Sequence, residues 1–244
     1  MMELELVKTA WLAFFMLIAA YSDVKTRLID DEVWVLASTL SLPIALYQLL
    51  MAPALVRILY ALSALTAVLV AVALNRAKML GGADVGALIV IGLAEVPRIG
   101  EVFPPSLSVI FNAALLSISY ALFILARNVA RIARGEDLFE GVHASQLTRI
   151  LALITAMKVS VEELEKAPLK FSIAERLVDG RRELRLSPLI GEEEQPPEWV
   201  KGLGEVWVTP YVPMVAYIAA GWMVYKALGC LAEPLLAALL GIHI

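Results

Sequence analysis

The chain has 244 residues, of which 60% are hydrophobic, and its mean hydropathy is +0.79. A soluble globular domain is closer to half apolar, so this composition excludes that class and indicates a protein that crosses a membrane several times. The net charge of −4 comes without a basic patch, which gives no footprint for nucleic acid, and the single cysteine, Cys230, excludes an intramolecular disulfide and a cysteine-based zinc site.

In chain order, six apolar runs read as spans. The first runs from about Thr9 to Tyr21; it lacks a basic leading segment and a small-x-small cleavage site, and is read as a retained helix. The second covers Val33 to Leu50 with a kink expected at Pro43, and the third covers Ala54 to Leu74. The fourth starts at Asp84 and fades near Val96, where Pro97 and Arg98 interrupt it. The fifth covers Leu107 to Ala126 and the sixth Val206 to Leu228. The tail "EPLLAALLGIHI" is apolar but too short to span, and is expected along or partly within the membrane. The resulting fold class is an all-α polytopic membrane protein with a small α+β cytoplasmic domain between helices five and six. Its divisions are 1–127, 128–205 and 206–244.

Basic residues set the expected orientation. Lys25 and Arg27 follow span one, Arg76 and Lys78 precede span four, and Arg127, Arg131 and Arg134 follow span five. The positive-inside rule places these loops in the cytoplasm of a multi-pass plasma-membrane protein, with both termini outside. In the long polar region, "ASQLTRILALITAMKVSVEELEKA" starts as a helix. "FSIAERLVDGRRELRLSPLI" reads as two strands around Asp179-Gly180, a favoured type I′ turn, and "GEEEQPPEW" reads as a flexible return. Trp11, Trp34, Trp207 and Trp222 fall near span ends and are read as interfacial anchors.

Two acids stand out. Asp23 lies where the first apolar run ends and Asp84 where the fourth begins, and the span order puts both on the same side at similar depth. Acids at the hydrocarbon boundary are functional suspects. Two close carboxylates in a low-dielectric site do not both ionise, which leaves one neutral acid beside one anion. Aspartic proteases use such a pair: the anion takes a proton from water, and the acid polarises the carbonyl. The plain alternative is that Asp84 caps span four and that Asp23 pairs with Lys25 or Arg27. Gly81 and Gly82, just before Asp84, favour the catalytic reading, because glycine admits positive φ and close backbone approach.

"GGAD" at Gly81–Asp84 resembles the GxGD motif of membrane aspartic proteases, and "YSDVKTRLIDDEVW" resembles the first-aspartate segment of type IV prepilin peptidases. "MKVSVEELEK" and "EVWVTPYVPMVAYIAAGW" resemble the archaeal branch, the preflagellin peptidases. The resemblance implies cleavage of a short basic leader (a class III signal peptide) from archaellin or pilin precursors at the cytoplasmic membrane face. By it, Asp23 and Asp84 are the catalytic pair, Gly81, Gly82 and Ala83 line the substrate cleft, and no metal and no cofactor take part. The expected partners are those precursors and the lipid bilayer.

Ala83 stands at the second motif glycine, and Gly86 where the family often has a lysine, whose role then falls away or passes to Lys78 or Lys25. The four-cysteine zinc module of bacterial relatives is missing, so peptidase activity without methyltransferase activity is expected. Other readings stay open: a presenilin or signal-peptide-peptidase-like protease, though "EPLL" stands where those carry Pro-Ala-Leu; a proton-coupled transporter using the aspartates; and an inactive scaffold. Lys25, Arg27, Asp30, Asp31 and Lys78 are candidates for substrate or charge support. Asp30 and Asp31 are expected to cap span two, or to attract a basic residue of the leader. Glu95 is expected to pair with Arg98, the arginines of "RNVARIAR" to meet lipid headgroups, and His143 and His243 have no suitably spaced ligand for a metal site.

Overall fold

The computed structural model describes residues 2–186 and 197–240. Residues 187–190 of the expected hairpin stretch, 191–196 of the expected flexible return, and 241–244 of the tail, with His243, lie outside the described residues. The chain divides into two compact units, Met1–Leu116 with Pro213–Ile244, and Ser117–Val212.

The first unit is helical. It holds α1 (Met2–Lys25), α2 (Asp31–Met51), α3 (Ala54–Arg76), α4 (Gly82–Ala94), the first part of α5 (Pro105–Ala133), α8 (Met214–Leu228) and α9 (Ala232–Leu240). α4 is central, packing on α2, α3 and α8, while α1 packs on α2 and α8. Its core combines Leu12, Met16, Leu88, Ile91, Ile218 and Trp222 with alanines at positions 19, 37, 71, 87, 94 and 113. Small residues let apolar helices approach closely where lipid removes the hydrophobic drive between them. At the α5–α8 crossing a Cβ on Gly221 would lie 2.7 Å from the Ala113 nitrogen and 2.8 Å from the Val109 oxygen, so only glycine fits. The outward faces carry large aliphatics such as Leu17, Val35, Leu46, Leu62 and Leu69.

α1, α2, α3 and α5 are each long and apolar enough to cross a membrane. A fifth crossing is possible by length if α8 and α9, bent by 68° at Gly229, count together. α4 has 13 residues. At 1.5 Å per residue it reaches about 20 Å, short of a bilayer core of about 30 Å.

The second unit carries β1 (Val142–His143), α6 (Gln146–Thr155), β2 (Met157–Ser160), α7 (Val161–Lys166), β3 (Phe171–Ile173), β4 (Glu175–Val178), β5 (Arg181–Leu184) and β6 (Glu205–Pro210), with the second part of α5. Its sheets run β1-β5-β4 and β2-β6-β3. The expected hairpin is present: β4 and β5 pair antiparallel with Val178 opposite Arg181, and Asp179 (φ 48°) and Gly180 (φ 76°) make the left-handed pair that a type I′ turn requires.

Three expectations need correction. The sixth run does not begin as a helix at Val206. Val206, Trp207 and Val208 form the buried centre of β6, and the helix starts at Met214, after Pro210 and Pro213 have broken the backbone pattern. Trp207 is therefore no interfacial anchor: it is fully buried, stacks on Phe139, and donates from Nε1 to the Leu138 carbonyl, and Trp34 and Trp222, 7% and 1% exposed, are core residues as well. Glu95 does not pair with Arg98. It accepts from Lys226 Nζ (3.0 Å) and Trp222 Nε1 (2.9 Å), while Arg98 donates its backbone N–H to Glu101.

Candidate active site

Asp23 sits in the last turn of α1, where the helix ends through an unusual residue. Arg27 takes a left-handed conformation (φ 65°), and its N–H turns back onto the carbonyls of Ser22 and Asp23. A non-glycine residue held there costs about 1–2 kcal/mol. The turn returns the guanidinium to Asp23, with Arg27 Nη1 3.3 Å from Asp23 Oδ1. The other oxygen, Oδ2, accepts the N–H of Ala216 at 3.2 Å. Ala216 lies in the first turn of α8, where backbone N–H groups lack helical partners and the helix dipole favours a carboxylate. Asp23 thus ties α1 to the start of α8, a contact that no local pattern in the sequence announces.

Asp84 is the third residue of α4, and its Oδ2 accepts the N–H of Gly81 at 2.8 Å. The capping expectation is met by this bond, which leaves Asp84 Oδ1 without a hydrogen bond among the described residues. Both aspartates are buried, 7% and 8% exposed, and Asp84 lies within electrostatic reach of Asp23 and Arg27. The structure therefore brings together Asp23, Asp84 and Arg27 from two ends of different helices.

The flanking glycines do not act as expected inside the chain itself. Gly81 has an ordinary extended φ of −79°, and a Cβ on it would meet only Asp84 Oδ2 at 3.6 Å. A Cβ on Gly82 would meet nothing within 4 Å, and Gly82 is exposed while Ala83 is half-buried. Lys25 is exposed with its ammonium over the Tyr21 ring, Lys78 is exposed at a left-handed turn (φ 55°), and Asp30 and Asp31 are exposed at the start of α2. None of these four makes a hydrogen bond or ion pair with either aspartate among the described residues. Asp30 holds the N-cap position of α2 by backbone geometry, without a side-chain cap bond.

Gly86 has a structural reason. A Cβ there would fall 2.7 Å from Trp34 Cδ1 and 2.8 Å from Trp34 Nε1, so the α2 indole occupies the space that a longer side chain at 86 would need. Trp34 is 7% exposed and its Nε1 finds no acceptor among the described residues. Gly86→Lys is expected to reduce the thermal stability of the full chain, and Trp34→Ala in the same chain to recover part of the loss by opening the space. Equal loss in the single and double variants would refute this packing account.

Among the described residues no group of three His, Cys, Asp or Glu side chains is placed to hold a metal ion. His143 is exposed on β1.

Comparison with known proteins bears on this site directly. Residues 10–122 match the type IV leader peptidase family. An uncharacterized protein of Methanocaldococcus jannaschii is 28% identical over 167 residues, which is 68% of this chain and 56% of that protein, so the chain spans little more than half the length of the relative. The family match runs through α1, α2, α3 and α4 and includes Asp23, Arg27, Gly81 and Asp84. The segment that holds the two buried aspartates, residues 10–122, is the part of the chain that is similar to the type IV leader peptidase family.

Proposed function

We propose that this chain is a membrane aspartic endopeptidase that removes the short basic leader from archaeal preflagellin or type IV prepilin-like precursors. Asp23 and Asp84 are its catalytic pair. The observation that carries the reading is their burial within electrostatic reach of each other, on α1 and α4, inside the segment that matches the leader peptidase family.

In the proposed reaction, water held between the two carboxyl groups attacks the scissile carbonyl carbon. Asp23, which accepts from a guanidinium and from the first turn of α8, takes the water proton. Asp84, with Oδ1 uncommitted, donates its proton to the developing oxyanion. Collapse of the tetrahedral intermediate breaks the C–N bond: the proton held by Asp23 passes to the leaving amine, and a hydroxyl proton of the intermediate returns to Asp84 as the carbonyl reforms. The precursor's extended strand lies in the open space beside Gly82, with Gly81 and Ala83. The reaction needs no metal and no covalent intermediate.

Six crossings, with α4 as a short one, put the N-terminus outside and both aspartates at the cytoplasmic face, as the basic loops favour. A leader peptidase working there meets its substrate before the hydrophobic segment of the precursor. With one cysteine the chain lacks a four-cysteine module, which supports peptidase activity without methyltransferase activity.

The test is cleavage of a tagged precursor by the full chain in lipid vesicles, with the new N-terminus mapped by mass spectrometry. A cut between the basic leader and the hydrophobic segment supports the reading. Intact precursor across archaellin and pilin substrates refutes it. Asp30 and Asp31 carry a second expectation. Asp30→Lys with Asp31→Lys slows cleavage of a precursor with a basic residue beside the cut, and an acidic residue placed there in the precursor recovers the rate. A rate indifferent to both changes excludes that role.

A further inference from the structure

α6 has two apolar faces, and the fold of its own unit covers only one. Ala152 is fully buried and Leu153 packs into the core with Ala156 and Trp207. Leu147, Ile150, Leu151 and Ile154 remain 67%, 57%, 45% and 37% exposed. Their spacing of i, i+3, i+4 and i+7 gathers all four in one stripe. The only charged residue of the helix, Arg149, lies away from that stripe with its guanidinium over the Phe139 ring.

The helix is firmly held. Ser145 caps its N-terminus by accepting the N–H of Thr148, and Asn128 Nδ2 of α5 donates to the carbonyls of Leu153 (3.0 Å) and Ala156 (2.7 Å) at its C-terminus. The position of Asn128 along α5 sets a depth. α5 is 29 residues long, and from Pro105 no charged side chain occurs until Arg127. A bilayer core takes about 20 residues, which from Pro105 ends near Leu125. Asn128 is one residue past the first charge, at the level where hydrocarbon gives way to headgroups. Beside it α5 still exposes Val129, and one turn on Ile132.

We propose that the outer stripe of α6 lies in the lipid interface, on the side of the membrane where α5 ends, as an in-plane anchor for the second unit. The anchored end is fixed at interfacial depth by Asn128. The stripe is purely aliphatic and uncharged, as a helix with its apolar face in the acyl boundary requires. The four side chains are then shielded by lipid tails, and the opposite apolar face, with Ala152 and Leu153, keeps its contacts with the unit.

The test uses the full chain with Cys230→Ser, nitroxide-labelled singly at Leu147→Cys, Ile150→Cys, Leu151→Cys or Ile154→Cys, in phosphatidylcholine vesicles. Glu162→Cys, where the native side chain is 85% exposed, is the aqueous control. The expected result is ready collision with oxygen and loss of collision with a water-soluble nickel chelate at all four positions, reversed at 162. Nickel access at the stripe equal to that at 162 overturns the proposal. So does spin–spin broadening between labels, which would mean a second copy covers the stripe, and so does shielding that appears only when a precursor is added. Oxidative footprinting of the unaltered chain in the same vesicles gives an independent reading. Leu147 and Ile150 are expected to be modified less than Leu177, which is 44% exposed on β4, and equal modification overturns the proposal.

Discussion

Asp84→Asn is expected to abolish cleavage while leaving the helices in place. Asparagine keeps an oxygen that accepts the N–H of Gly81, so the start of α4 keeps its 2.8 Å bond, and the amide is close in volume to the carboxyl group. The change removes the proton that Asp84 contributes in the proposed reaction. Loss of a general acid or base lowers a rate by about 10²–10⁴-fold. A pure cap makes the opposite prediction: Asn is a good capping residue, so activity would survive, and only substitution by Ala would cost about 1 kcal/mol. Thermal unfolding of the purified variant, measured beside its cleavage rate, separates the two. Full activity in Asp84→Asn would reduce Asp84 to a helix cap.

The second large effect lies at the other end of the same helices. Lys8, 1% exposed, donates to Glu5 (2.8 Å), Gln48 (3.0 Å) and the carbonyl of Ala94 (3.0 Å). Lys226 donates to Glu5 (2.6 Å) and Glu95 (3.0 Å). The network joins α1, α2, α8 and the end of α4. A buried ion pair is costly to break from one side, because it strands the partner charge, at about 3–5 kcal/mol. Glu95→Leu is therefore expected to lower the unfolding midpoint in detergent, since it leaves Lys226 with Glu5 alone and the buried Trp222 N–H without its acceptor. Glu95→Leu with Lys226→Met is expected to be more stable than Glu95→Leu alone. A double variant weaker than the single one contradicts this account.

The network also marks where sequence reasoning stops. Apolar runs and the Asp179-Gly180 turn are local signals, and the helices and hairpin were legible from them. Glu95 and Lys226 are 131 positions apart, and nothing in either neighbourhood selects one for the other. The nearby Arg98 was the natural local choice. β6 was hidden for a related reason: "VWV" is apolar and adjoins a true helix, so hydropathy merges the two, and only Pro210 and Pro213 hint at the break. At the site, the two aspartates were legible as acids where apolar runs end. The contact of Asp23 with the α8 N-terminus and the fit of Trp34 over Gly86 were not, because each depends on packing between distant helices.

The central claim is that Asp23 and Asp84 act as one catalytic unit on a precursor leader. Groups that act together are non-additive: removing either costs as much as removing both. The most direct measurement is the cleavage rate of one tagged precursor by the wild-type chain, Asp23→Asn, Asp84→Asn and the double variant, all in the same vesicles. The account predicts that the wild-type chain alone cleaves at an appreciable rate, and that the double variant is no slower than either single one. Substantial cleavage by either single variant, or losses that multiply in the double, would contradict it.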